Sequence, residues 1–293
     1  EVEQCSGIPH MMFADSFKRK DSSGERVEVE GADRDAIYAK IKEDPKLSIV
    51  EEDKNAALLF DTYNEKVETL LSIKIGTVED NLCLSRIPGD ERSKICTPQE
   101  TLKNGSDIAT LVAHAFREMA KASDIAIQNG GGVRTDISSG DITMGDAYKL
   151  LPFANTLVEM DMSGAEIKLV LEEAIEYALQ PDGSDGAFPY AAGLRWHVDS
   201  TRASGNRLSK MEYKGRSDAD WVPLNMEKMY RIVTNNYIAA GRDGYLSFKT
   251  VKDDGRFEDT YLDYAQSFVD YVKDRGSIAK LPFSEYSTQS FVK

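Results

Sequence analysis

The stretch Asp124-Ile-Ala-Ile-Gln-Asn-Gly-Gly-Gly-Val-Arg134 changes character midway. Ile125 and Ile127 alternate with their neighbours as in a short strand. Asn129 and three successive glycines, Gly130, Gly131 and Gly132, then break the pattern. Residues without a Cβ allow positive φ and let another group approach the main chain closely. Arg134 sets a permanent, forked cation beside that opening, suited to a phosphate or a ribose edge. The plainer alternative is a glycine-rich surface turn beside a solvated arginine, since an isolated glycine motif is weak on its own.

Downstream, a short helix within Asp141–Leu151 stops at Pro152, and Phe153-Ala-Asn155 leads into a strand around Leu157–Met162. Ser163 and Glu166 form a capping box. The helix that follows carries Ile167, Val170, Leu171, Ala174, Ile175 and Ala178 at helical spacing, and Pro181-Asp-Gly183 ends it. Gly193–Asp199 alternates as a half-buried strand, and Leu208–Tyr213 and Tyr230–Thr234 read as further strands. A second glycine-punctuated turn lies within Asn236–Phe248, and a last amphipathic helix spans Thr260–Asp274. Upstream, a helix is expected from Asp53 to about Leu71, with Ala56, Leu59, Tyr63, Val67 and Leu70 in one stripe, then a strand over Leu71–Ile75. Asn104 or Ser106 caps a helix reaching about Ala122, with His114 off its apolar stripe as a surface or capping residue. Residues 1 to 52 are charge-dense, with a strand at Val27–Val29 and a short helix at Asp33–Glu43, and are not expected to fold alone. Helices and strands mix without strict βαβ alternation, so the expected class is α+β, a mixed sheet with packed helices.

The chain has 293 residues, 41% hydrophobic and 29% charged, enough for a sizeable core. A net charge of −14 argues against a nucleic acid or an anionic membrane as partner. No apolar run reaches bilayer length, Glu1 opens no signal peptide, and the missing initiator Met points to a processed or truncated chain. Cys83 and Cys96 bracket a Pro/Gly/charged loop. They are either a disulfide, worth roughly 3 kcal/mol for a loop of this length, or two unrelated buried thiols. The disulfide is the expected state and implies an oxidising compartment. Cys5 is left odd, a free thiol or half of a pairing elsewhere.

The three histidines, His10, His114 and His197, fall in no metal-binding arrangement, so no two-metal hydrolytic centre can be built here. There is no Walker loop, no dinucleotide fingerprint and no nucleophile elbow. What remains suits recognition. Phe153 and Tyr237 are loop aromatics able to sandwich a purine, at about 1–3 kcal/mol per stacked base. Asp243 is a candidate acceptor for a ribose diol. Asn129 offers an amide to a base edge, Gly131 a close backbone approach, and Arg134 and Arg92 charge for a phosphate. Each also has an ordinary reading: rim-plugging aromatics, an Asp-Gly turn, solvated arginines.

Taken together, Asn129-Gly-Gly-Gly-Val-Arg134, Leu151-Pro-Phe153, Gly186-Ala-Phe-Pro-Tyr190 and Asn235-Asn-Tyr237 through Gly241-Arg-Asp243-Gly-Tyr245 stand in the order found in the C-terminal domain of the 5′-nucleotidases. The resemblance covers roughly residues 53 to 293. The cysteine loop and Asn104-Gly-Ser-Asp-Ile108 look most like the bacterial NAD nucleotidase branch, beside the UDP-sugar hydrolases. The resemblance implies a trailing remnant of an N-terminal metallophosphatase domain at 1–52, a linker or hinge helix at 53–72, and a nucleotide-binding domain at 73–293. It implies Phe153 and Tyr237 as the stacking pair, Asn129 on the base, Asp243 on the ribose, and Arg134 near ribose and phosphate, with Arg92 as second arginine. Two divalent metals and the catalytic residues are expected in the absent N-terminal domain, none in this chain, so the fragment alone is expected to be inactive. The implied whole is a periplasmic or secreted hydrolase of AMP-like nucleotides, including NAD in that branch. The alternative is a stand-alone nucleoside-binding module without catalysis. Base and leaving-group preference and oligomeric state are not legible here.

Overall fold

The computed structural model describes residues 10–13, 17–21, 26–50 and 53–293. The expectations about Cys5 and the order of the extreme N-terminus fall outside these residues. The chain divides into two compact units, Glu1–Thr69 and Leu70–Lys293. In the first, His10–Phe13 pairs in parallel with Leu47–Val50, Lys18–Lys20 forms a hairpin with Arg26–Glu28, and a helix spans Gly31–Glu43. The helix Lys54–Leu71 that leads out of it buries none of its residues. The expected stripe of Leu59, Tyr63 and Val67 is therefore solvent-exposed.

The second unit is α+β. Its central sheet has five strands in the order Phe257–Asp263, Thr156–Ser163, Met229–Asn235, Ile125–Asn129, Pro189–Ala192. Only Met229–Asn235 and Ile125–Asn129 run parallel, with Ile232 beside Ile125 and Val233 beside Ala126. The neighbours on either side are antiparallel. This arrangement positions the site. The two parallel strands end side by side at Asn129 and Asn235, and the antiparallel strands begin at that same edge, at Thr156 and Pro189. Loops far apart in sequence thus converge: residues 130–134, 152–155, 183–188 and 236–244. Crevices at the carboxyl ends of parallel strands are favoured ligand sites in open α/β sheets.

A four-stranded sheet (Val222–Pro223, Leu208–Tyr213, Leu194–Asp199, Thr288–Val292) and a three-stranded one (Ser277–Ile278, Lys74–Val78, Gly140–Thr143) complete the unit. Trp196, Tyr190, Phe116, Phe188, Phe268 and Tyr245 are fully buried in one apolar core. The helix Asp107–Met119 is capped by the Ser106 hydroxyl, which accepts from Ala109 N. It ends earlier than the expected Ala122. Three boundaries differ more. The helix Lys54–Leu71 runs through Leu71, so the strand starts at Lys74 rather than Leu71. Gly140–Thr143 is a strand, and the short helix begins only at Met144, behind a Thr143–Asp146 capping box. Thr260–Asp263 belongs to an edge strand paired with Thr156–Ser163; the last helix starts at Tyr264, where Asp263 accepts from Gln266 N. In the last two cases pairing across the sheet overrides local helical periodicity, whereas in the first the helix extends at the expense of the strand. His114 is half-buried, not a surface residue, with Nε2 3.2 Å from the Glu285 carbonyl.

The Ser163–Glu166 capping box is present, and Glu166 also receives Arg256 Nη2 at 2.8 Å. That hydrogen bond, aided by the cap, outweighs partial burial and lowers the Glu166 carboxyl to about 2 from 4.5. A depressed carboxyl stabilises the fold above its unfolded value and loses that contribution as pH falls through its folded value. Acid titration of thermal stability is expected to show a Glu166-dependent loss between about pH 4.5 and 2. Glu166→Gln should flatten that part of the profile; an unchanged profile would count against the pair.

Candidate functional site

The triple glycine does not take left-handed backbone. Gly130–Gly132 forms a 3-10 turn, and none of the three has positive φ. Their need is space. A Cβ on Gly131 would sit 3.0 Å from Gly186 Cα, and one on Gly132 would collide with Gln128 Nε2 and lie 2.5 Å from Tyr264 Oη. Gly130 N donates to Phe188 O, so the turn is held against the segment that precedes Pro189.

Beneath it lies a buried amide cluster. Gln128 Nε2 donates to the Asn129 carbonyl at 2.9 Å and to Tyr264 Oη at 3.2 Å, while Tyr264 Oη donates to Gly132 O at 2.7 Å. Asn235 Nδ2 donates to Gln128 Oε1 and to Asn129 Oδ1, and its own Oδ1 accepts Ile238 N as the cap of the next helical turn. A satisfied buried polar network of this kind fixes geometry strongly. Its outlet is Asn129 Nδ2, which donates to Asp243 Oδ2 at 3.0 Å. Asp243 stands at φ +52, a left-handed position in the Arg242–Gly244 turn. Its other oxygen accepts the Tyr237 hydroxyl at 2.9 Å. Partial burial, then the hydrogen bond and charge of Asp243, raise the Tyr237 phenol above its ordinary range, so it stays a donor.

These side chains face a cavity of about 270 Å³, near the lower end of the ~300–1,000 Å³ range usual for small-molecule sites. Asn129, Gly131, Arg134, Phe153, Tyr237 and Asp243 all line it. Phe153 and Tyr237 are each close to half exposed at its walls. Arg134 donates to Gly131 O at 3.1 Å, and its guanidinium lies 5.7 Å from the Phe153 ring centre.

Arg92 is not among the lining residues. It donates to Asp185 Oδ2 at 2.7 Å, and the cysteine-loop arginine that lines the cavity is Arg86, which donates to the other oxygen, Asp185 Oδ1, at 2.5 Å. Burial pushes the Asp185 carboxyl up, but its hydrogen bonds to Arg92 and Arg86 prevail and hold it below the ordinary range. Arg86 Nε is buried without a partner among the described residues. The register of the cysteine loop makes the difference. Tyr190, fully buried, donates its hydroxyl to Ser85 O at 2.8 Å and accepts Ser106 N, pinning the chain just before Arg86. Pro88-Gly89 between them marks a turn but does not determine which flanking arginine points inward. Asn155 and Ser184 also line the cavity and carried no signal of their own.

The Cys83–Cys96 disulfide closes this loop. Among the described residues Cys83, Cys96 and Glu100 have ligand-like spacing, but both sulfurs are bonded to each other. No helix of the described residues is long and apolar enough to cross a membrane. The cleft thus brings together two aromatic walls, one carboxylate, amides and two guanidiniums.

Residues 74–252 match the family model for the 5′-nucleotidase C-terminal domain, and the chain belongs to this family. It is 35% identical over 290 residues to the NAD 5′-nucleotidase of Haemophilus influenzae, covering 98% of this chain and 46% of that protein. It is 32% identical over 278 residues to a probable 5′-nucleotidase of Treponema pallidum, covering 93% and 46%. Among solved structures it resembles the Haemophilus influenzae NAD nucleotidase with a TM-score of 0.68 at 32% identity, covering 96% of this chain and 49% of that one. A 5′-nucleotidase precursor from Thermus thermophilus follows at 0.65 and 28%, covering 94% and 54%. The chain thus spans about half the length of these relatives.

Proposed function

We propose that this chain is the substrate-recognition part of a 5′-nucleotidase acting on AMP-like nucleotides, with NAD a further substrate. The observation that carries the reading is the cavity shared by Phe153, Tyr237, Asp243 and Arg134. The base stacks between the two rings, and Asn155 and Asn129 face it with amide groups. Asp243, already accepting from Asn129 and Tyr237, keeps lone pairs for the ribose hydroxyls. Arg134 and Arg86 receive the phosphate; Arg92 acts behind Arg86, on the far oxygen of Asp185. The cavity offers a single carboxylate, too few ligands for a resident divalent cation, so ester hydrolysis is assigned to a metal-bearing N-terminal domain outside this chain. Residues 1–52 are the trailing part of that domain, and 53–72 the hinge helix about which the recognition domain turns. The disulfide supports a periplasmic or secreted location.

Calorimetric titration of adenosine and AMP into the chain tests this. Both are expected to bind, AMP about tenfold more tightly, as charge-assisted bonds to one phosphate would give. Binding of neither would sink the proposal. Metal-dependent hydrolysis of AMP by the purified chain would refute the assignment of catalysis elsewhere.

A further inference from the structure

The carboxylate of Asp136 is placed unlike the other acids near the cavity. It stands two residues beyond Arg134 in irregular chain, and its hydrogen bonds place it in the cysteine loop. There one oxygen accepts Leu84 N at 2.5 Å and the Ser93 hydroxyl at 2.8 Å, and the other accepts Lys94 N at 2.8 Å. Leu84 adjoins Cys83. Ser93 Oγ in turn accepts Cys96 N at 2.9 Å. A single carboxylate therefore grips both feet of the disulfide-closed loop that carries Arg86. Paired backbone bonds between Leu82 and Ile137, at 2.8 and 3.2 Å, extend the seam. Asp90 is different, since it accepts Arg86 N and Ile87 N from inside the loop and shapes only its turn.

We propose that Asp136 is a positioning residue that sets Arg86 against Arg134. The two guanidiniums ride on separate segments, and the Asp136 clamp joins them through side-chain bonds at both feet of the loop, beside the Leu82–Ile137 backbone pair and the Asn81–Ser139 bond. A phosphate bridged by both needs their spacing held closely, because charge-assisted bonds fall off quickly with misplacement. The disulfide alone cannot supply this: it closes the loop on itself and leaves its placement against the Arg134 segment open. The inference rests on the reading of the cavity as a nucleotide site.

The test compares adenosine and AMP binding to the whole chain for wild type, Arg86→Ala, Asp136→Asn and the double variant. Asp136→Asn keeps its size but no longer carries the charge that accepts three donors. It is expected to lower AMP affinity about tenfold while adenosine affinity moves less than about twofold, and the double variant should lose no more than Arg86→Ala alone. Ser93→Ala removes one of the three donors, should lower the AMP preference by a smaller factor, and gives the reading if Asp136→Asn fails to fold. An AMP preference that survives Asp136→Asn overturns this proposal alone. So does a variant that loses both ligands in equal proportion, because the role would then be general stability. A wild-type chain without any AMP preference would remove the phosphate reading and this inference together.

Discussion

Phe153→Ala and Tyr237→Ala are each expected to weaken adenosine binding by about ten- to a hundredfold, the largest ligand effects anticipated here, since a base stacked on an aromatic is worth about 1–3 kcal/mol. Both rings are close to half exposed yet line one cavity, and neither is packed into the core. Truncation should therefore leave the thermal midpoint nearly unchanged, so lost binding can be read as a lost wall. The two rings are not equivalent. Phe153 lies beneath the Arg134 guanidinium, so its removal also frees that cation and should reduce AMP binding as much as adenosine binding. Tyr237 is tied by its hydroxyl to Asp243. Tyr237→Phe preserves the face and should retain most of the affinity, whereas Tyr237→Ala should not. Calorimetry with adenosine measures both; full affinity in both alanine variants would end the sandwich model.

Gly132→Ala should be strongly damaging to the site region. The added Cβ would collide with Gln128 Nε2 and lie 2.5 Å from Tyr264 Oη. Both partners are the ends of side chains, which elsewhere would move aside, but both are fully buried and engaged in the amide cluster. Burial keeps the Tyr264 phenol protonated, so its bond to Gly132 O is one the cluster loses if the ring shifts. Overpacking of this kind costs about 1–3 kcal/mol, and an orphaned buried amide adds to it. Thermal unfolding of the variant should show a clear drop in midpoint, with weakened adenosine binding because Asn129 is displaced. A midpoint equal to wild type would mean that the cluster is soft and that Asn129 is not held by it.

Much of the site is legible in the sequence, because its members carry unusual local chemistry. Asn129 followed by three glycines, a phenylalanine directly after Pro152, and Asp243 between Arg242 and Gly244 each stand out from their surroundings. Of the two uses the glycines leave open, positive φ and close approach, the fold takes the second: room for Gly186, Gln128 and Tyr264, residues distant in sequence. The expectation named Arg92, but Arg86 is a second arginine of the same closed loop. Tertiary contacts, among them the Tyr190 hydroxyl and the shared Asp185, decide which one faces the cavity.

The sequence by itself determined the α+β class, the capped helices, the disulfide loop and the residue types of the pocket, because these depend on periodicity, capping chemistry and backbone restriction within short windows. The tertiary structure alone decided the convergence. Asn129 and Asn235 become neighbours because one pair of strands runs parallel in an otherwise antiparallel sheet. Thr260–Asp263 extends rather than coils because it meets Thr156–Ser163. Strand order and pairing are set by contacts between segments a hundred residues apart, and no local pattern encodes which partner each edge will find.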